Sequence, residues 1–457
     1  MAEMVELLAE VVGPDHVMSA DAVHLDYTHD EALTATPVVP LAVVCPADTA
    51  EVQAVLRVAS ELHVPVTARG SGTGLSGAAI SPADGILLSF ERMNRILEID
   101  VDNHVAVVQP GVTLEALNTA AAEHGLVYPV FPGESSASLG GNVATNAGGM
   151  RAIKYGVTRH HVLGLEAVLA TGDVIRTGGK FVKTSTGYDL TQLLVGSEGT
   201  LALITEATLK LHPRLVHAAT VLAPFTTLDE VTAAVPRIVA GGVAPLILEY
   251  VDVITMAAIT AHVGLDLGIP EAVRDSALAY LVIVVESTHQ ARLDDDVAIL
   301  GEQLVDLGAM EVYVLPAQAA SQLISAREKA FFVAKAAGAD DIVDVVVPRA
   351  AIPAYMTAVA NVAGAHGALI TGCGHVGDGN VHLSVFQPDA EARTEVLREV
   401  FRAGMALGGA ISGEHGIGTE KRRYFHELED PVKIELMRAI KRSFDPNGIL
   451  GPGNLLD

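Results

Sequence analysis

The sequence predicts an α+β protein of more than one domain, on three observations. Its 457 residues suggest about three folding units, or two larger ones, at roughly 150 residues per domain. Between positions 41 and 88 short apolar runs alternate with a helical stretch, an α/β rhythm. Beyond Pro213 the glycine-rich loops thin out, and long Ala/Val/Leu helices alternate with strands such as 279–285, which sets a domain boundary near Pro213.

Taken in order, residues 1–10 read as a first helix, because Glu3, Glu6 and Glu10 stand where a targeting peptide would carry basic residues. Residues 41–45 form a strand, 49–62 a helix with Thr49 as N-cap, and 64–67 a strand. Strands at 86–90 and 104–109 flank an acidic turn at Asp100 and Asp102, and Pro110-Gly111 leads into a helix over 113–124. Residues 129–150 are rich in Gly, Ser, Ala and Asn and lack helical periodicity, so backbone that turns sharply or lies against a ligand is expected there. Residues 350–377 contain no Asp, Glu, Lys or Arg, but Pro353, Asn361, Gly364, His366, Gly367, Gly372 and His375 interrupt them, and no transmembrane helix is expected.

Charge and cysteine usage exclude some functions. Lys and Arg number 29 against 55 Asp and Glu, a net charge of −26, which repels nucleic acid and anionic lipid. Two cysteines, Cys45 and Cys373, in no CxxC pattern, supply neither a disulfide framework nor an iron–sulfur cluster, and a reducing cytosol fits best.

Four motifs carry chemistry. In Arg69-Gly70-Ser71-Gly72-Thr73-Gly74-Leu75-Ser76-Gly77, after a strand, four glycines let backbone N–H groups converge on an anion; the alternative is a glycine-rich surface turn. Pro132-Gly133, then Gly140-Gly141-Asn142 through Thr145, Ala147, Gly148 and Gly149 to Tyr155-Gly156, forms a second tract, followed by Gly196-Ser-Glu198-Gly199 and Ile204. In this order these segments resemble the FAD-binding half of the vanillyl-alcohol oxidase or PCMH-type flavoproteins, over about residues 1–212. The resemblance implies that the first loop holds the FAD pyrophosphate, that the second tract and Ile204 line the rest of the dinucleotide, and that Asn454 joins them. Members with a histidyl-linked flavin carry His where this sequence has Thr73, so non-covalent FAD is expected.

The third motif, residues 374–382, centres on Asp378-Gly379, a two-residue hairpin signal that sets His375 opposite His382, where two imidazoles can converge on one ion; the alternative is satisfied core histidines. The fourth, Ser412 to Gly418, presents Glu414 and His415 side by side, either as a carboxylate ligand and a proton-transfer group or as a surface pair on a loop. With the flavin half, these motifs resemble the metal-dependent FAD-linked D-2-hydroxy-acid dehydrogenases, which include D-lactate and D-2-hydroxyglutarate dehydrogenases and the glycolate oxidase D subunit. The resemblance implies a divalent metal, zinc or manganese with iron as a further candidate, on His375, His382 and Glu414, with His415 as general base. It also implies a PCMH-type FAD-binding domain of two α/β subdomains (1–212), an α+β substrate or cap domain with an antiparallel sheet (213–410), and a C-terminal segment (411–457) returning the catalytic loop to the FAD domain.

By the same resemblance Arg327, Phe331 and Asn380 contact substrate, Arg327 through its carboxylate. The hydroxyglutarate branch carries polar groups where this sequence has Phe331, Ile342 and Ser384, and an apolar pocket rejects a second carboxylate, which favours D-lactate or a longer aliphatic D-2-hydroxy acid, then glycolate. Residues 347–353 also resemble the glycolate oxidase D subunit, which works with partner subunits. The electron acceptor is left open between quinone, electron-transfer flavoprotein, cytochrome and oxygen, and a homodimer is one assembly the sequence allows. Rival readings are a flavin-free metallohydrolase, an oxidase of a sugar or alcohol, and an electron-transfer scaffold. Lys421-Arg422-Arg423 reads as a solvated patch, and Cys373 as either an extra ligand or packing.

Overall fold

The computed structural model describes residues 2–456 and arranges them around four sheets. The first joins β1 (Val17–Ser19), β2 (Ala42–Val44), β3 (Val66–Arg69) and β4 (Ile86–Ser89) in the order β1-β2-β4-β3. β2, β3 and β4 run parallel and are buried at all positions but Ala68, as strands covered on both faces must be. The helix Thr49–Leu62 is capped by Asp48, whose carboxylate accepts from Glu51 N at 2.9 Å, rather than by Thr49. The Thr49 hydroxyl instead donates to Glu166 Oε1 at 2.6 Å.

The second sheet orders β5 (Ile96–Asp100), β6 (Val105–Val108), β10 (Leu203–Lys210), β8 (Val162–Val168) and β9 (Val174–Gly178), antiparallel throughout. A ribbon of β7 (Leu126–Val127) and β11 (His212–Pro213) closes this half. The tract in which no helical periodicity is readable contains a helix, Leu139–Thr145. Its two turns are too short for a readable periodicity, and its glycines serve contact: a Cβ on Gly140 would lie 2.5 Å from Pro110 Cβ.

The third large sheet is antiparallel, with strands β12 (His217–Phe225), β13 (Ile247–Asp252), β14 (Ala279–Ser287), β15 (Tyr313–Val314), β16 (Asp341–Val346), β17 (Leu369–Gly374) and β18 (Asn380–Phe386) in the order β15-β12-β14-β13-β17-β18-β16. Along β14, Leu281, Ile283 and Val285 face the core with helices 228–240, 290–306, 352–366 and 390–406, whereas Tyr280 and Val282 face helices 253–263 and 317–328. That period of two buries both faces. The tail comes back to the first sheet, where Val66 N donates to Ile449 O at 2.7 Å and Gly451 N to Val66 O at 2.9 Å. Among the described residues no helix is long and apolar enough to cross a membrane.

The register at the third motif differs from the sequence expectation. Cys373, not His375, pairs with His382. Residues 375–379 form a wider loop, with Asp378 N and Asn380 N both donating to His375 O; Gly379 sits there at φ 96°, where a Cβ would meet Val347 O at 2.0 Å.

Candidate active site

β3 ends at Arg69, and the loop after it faces the helix Leu139–Thr145 across a cleft of about 200 Å³. Gly70, Ser71, Gly72, Thr73, Gly74 and Ser76 line one wall; Pro132, Gly140, Gly141, Asn142, Thr145, Ala147, Glu198, Gly199 and Ile204 line the others. Glycine is required at Gly70, where a Cβ would lie 1.9 Å from Ser138 Oγ. Such glycine-rich walls suit a bound dinucleotide.

Other expected cofactor residues support this cleft from outside. The Arg69 guanidinium donates to His29 O at 2.7 Å and Asp26 O at 2.6 Å, pinning the N-terminal segment. Tyr155 donates to Glu286 Oε1 at 2.8 Å, Gly156 ends the short helix before it, and Asn454 Nδ2 donates to Ala78 O at 2.8 Å. Gly77 packs on Thr419, Gly149 on Phe131 O, and Gly133 lines a second cavity. Gly148 leaves room for Glu414, since a Cβ would lie 2.8 Å from its Oε2. The buried Glu198 carboxylate accepts from Ile417 N at 2.8 Å and Gly418 N at 2.7 Å, joining the cleft to the fourth motif.

His375 Nε2 and His382 Nε2 each lie 3.1 Å from Glu414 Oε1, and ligand atoms of the three side chains fall within 4.8 Å of one another. His375 Nδ1 contacts Glu249 Oε1 at 2.6 Å, a bond that fixes the ring. Burial alone would lower the His375 imidazole, but Glu249 and Glu414 hold it up at about 10. Burial would raise both carboxylates, yet the imidazoles, and Arg327 beside Glu249, hold them down. His375, His382 and Glu414 together offer two imidazole nitrogens and a carboxylate oxygen, a donor set that could hold a divalent transition ion. His415 stacks on His382 with ring centroids 5.0 Å apart.

Two acids organising this site escaped the sequence reading. Asp344 Oδ2 accepts from Ser412 Oγ (2.7 Å) and from the N–H groups of Gly413 (3.0 Å), Glu414 (2.9 Å) and His415 (2.7 Å), so one carboxylate shapes the whole loop. Glu249, fully buried, also lies 2.7 Å from Arg327 Nη2 as an ion pair without hydrogen-bond alignment. No motif surrounds either acid; each sits in a mostly apolar strand that carries one other acid, Asp252 or Asp341.

A second cavity of about 450 Å³ opens beside the cluster, lined by Arg327, His375, His382, Glu414 and His415 at one end and chiefly by apolar side chains elsewhere, Phe331 and Ile342 among them. Cys373 lines it with a neutral thiol, which burial pushes up to about 11. Asn380 does not reach it: its amide donates to Asp344 Oδ1 at 2.9 Å and Val345 O at 3.1 Å. The basic run is not a solvated patch either, since Lys421 is buried against Asp341, Arg422 donates to Gly453 O at 2.9 Å, and Arg423 lies over the Tyr424 ring. The two cavities share a wall made by Leu75, Pro132, Glu414 and His415.

A PCMH-type flavoprotein oxidoreductase is the class that this fold and these joined cavities define. Residues 40–178 match the family described as FAD binding domain, and residues 215–455 match FAD linked oxidases, C-terminal domain. The chain belongs to the FAD-linked oxidases. It is 56% identical over 453 residues to an uncharacterized FAD-linked oxidoreductase of Mycobacterium tuberculosis, covering 99% of each protein. It is 40% identical over 416 residues to a D-lactate dehydrogenase of Archaeoglobus fulgidus, covering 91% of each. Among solved structures, p-cresol methylhydroxylase with substrate bound shares the fold at a TM-score of 0.80 and 19% identity, over 100% of this protein and 97% of that one. The flavin-free hydrolase reading is thereby set aside.

Proposed function

We propose that this protein is an FAD- and divalent-metal-dependent dehydrogenase that oxidises a D-2-hydroxy acid, D-lactate or a longer aliphatic analogue, to the 2-oxo acid. The observation that carries this reading is the shared wall: His415 and Glu414 border both the dinucleotide cleft and the cavity that holds Arg327. FAD, when bound, supplies the hydride acceptor, and a divalent ion on His375, His382 and Glu414 supplies a Lewis acid for the substrate hydroxyl.

The remaining work falls to the protein's own side chains. Arg327, buried and with Nε free of protein hydrogen bonds, binds the substrate carboxylate by its planar fork. His415, its loop fixed by Asp344, takes the hydroxyl proton. Anchored at the carboxylate and the hydroxyl, a substrate has one face of Cα turned to the cleft, which selects one enantiomer. Phe331 and Ile342 on the wall offer no partner for a second carboxylate. Turnover of D- and L-2-hydroxy acids with a dye acceptor, before and after chelation, tests the reading: turnover of the D isomers alone, lost on chelation and restored by zinc or manganese, is expected. Equal rates for the two isomers, or indifference to chelation, would overturn it.

A further inference from the structure

The second cavity is far larger than lactate needs, and its walls have a direction. On β17 and β18 three paired rungs line it: Cys373 with His382, Thr371 with Ser384, and Leu369 with Phe386. The first rung stands at the histidine cluster. At the last, Leu369 is 48% exposed, and Ile254 on the facing helix is 51% exposed, so this end is the mouth. Between His382 and Phe386 the strand advances about 14 Å. Opposite the rungs, Ala330, Ala334 and Ala337 recur along one helical face, and Ala258 lines the cavity from the neighbouring helix. Small side chains there keep a channel open instead of filling it.

Beyond the cluster end the channel carries hydroxyls but no charged side chain: Thr255, Thr371 and Ser384 line it, with the Thr255 and Thr371 hydroxyls 3.2 Å apart. The Thr371 hydroxyl donates to Asp252 Oδ2 at 2.6 Å. Arg327 is the cationic side chain on the wall, and it stands at the cluster end beside Glu328, whose carboxyl burial pushes up to about 7. A second anionic group would meet no cation farther out.

Building on the 2-hydroxy-acid reading above, we infer that the substrate is a D-2-hydroxy fatty acid of medium length, whose linear alkyl tail runs from the histidine cluster to the mouth between Ile254 and Leu369. At roughly 1.3 Å of extended tail per methylene, 14 Å holds about ten carbons. Lactate, with a single methyl, would leave most of the 450 Å³ to water against apolar walls.

The test is kcat/KM on the FAD-loaded protein with a dye acceptor, across unbranched D-2-hydroxy acids of three, four, six, eight and ten carbons, with D-3-phenyllactate and D-2-hydroxyglutarate for comparison. Each added methylene is expected to raise kcat/KM about fourfold until the tail reaches the mouth, with both comparison acids below the eight-carbon acid. Ala334→Phe and, separately, Ala258→Phe are expected to lower the ratio of eight-carbon to three-carbon kcat/KM at least tenfold. Because that ratio is read within one preparation, loss of folded protein cancels. A maximum at lactate, a flat series, a preference for phenyllactate or hydroxyglutarate, or ratios unchanged in both variants would overturn the inference while leaving 2-hydroxy-acid oxidation standing. Failure of every acid to react would overturn both.

Discussion

Glu249 holds two side chains of the candidate site at once, His375 through Nδ1 and Arg327 through Nη2, from a position with no solvent exposure. Glu249→Gln keeps the shape and removes the charge. It is expected to weaken metal binding 10- to 100-fold, measured by metal content after dialysis against graded chelator, while FAD absorbance stays. His415→Asn is expected to slow flavin reduction by a factor of about 10² to 10⁴ without loss of FAD, as read by rapid mixing. His375, His382, Glu414 and His415 were legible in the sequence because glycines crowd around them, and glycine-rich loops rarely form packed core. Glu249 and Asp344 were not: their partners lie 126 and 70 positions away, and nothing local distinguishes a strand acid that faces a cluster from one that faces water.

Among the elements, the loop 412–415 depends on β16. Four donors converge on Asp344 Oδ2, so Asp344→Ala leaves the Glu414 and His415 N–H groups without their acceptor, while Gly413 N keeps the Asp344 backbone carbonyl at 2.7 Å. Loss of turnover with retained FAD is expected, because the cleft walls 70–76 and 140–145 do not touch that carboxylate. A second element-scale feature lies where the turn before β8 meets the β7–β11 ribbon. His161 and His212 pack edge-to-face with centroids 5.3 Å apart, and neither His161 Nδ1 nor His212 Nε2 has a hydrogen-bond partner. Burial, with His212 alongside, pulls the His161 imidazole down to about 4. The folded state thus binds the proton less well than the unfolded state, and stability falls as pH drops from about 6.5 towards 4, by roughly 2 kcal/mol at about pH 5. His161→Gln is expected to flatten that acid slope in thermal melts; a slope equal to that of the parent protein would contradict the assignment. The hairpin at 374–382 was legible as a feature but not in its register, which is set by long-range pairing: Gly374 pairs with Tyr250 and Cys373 with His382.

For the molecule as a whole, the alternation of α/β and antiparallel segments was readable from apolar periodicity, whereas the joining of the cores was not. Met150 packs with Leu246, Ile247 and Val284 of the large sheet, and Lys154 and Tyr155 both bind Glu286. These contacts bring the glycine-rich tract against the third sheet and so set the two cavities wall to wall. Since FAD would bridge the loop after β3, the helix 139–145 and the start of β10, its removal is expected to lower the melting temperature; ligand at 100 times its dissociation constant stabilises by about 2.7 kcal/mol. The central claim is that a D-2-hydroxy acid held by Arg327 and the histidine cluster reduces a flavin in the neighbouring cleft. Anaerobic mixing of the FAD-loaded protein with the D and then the L isomer of 2-hydroxyoctanoate, following the visible flavin band, tests it most directly. Bleaching by the D isomer alone is the predicted result; a flavin band that neither isomer bleaches, or that both bleach equally, would contradict it.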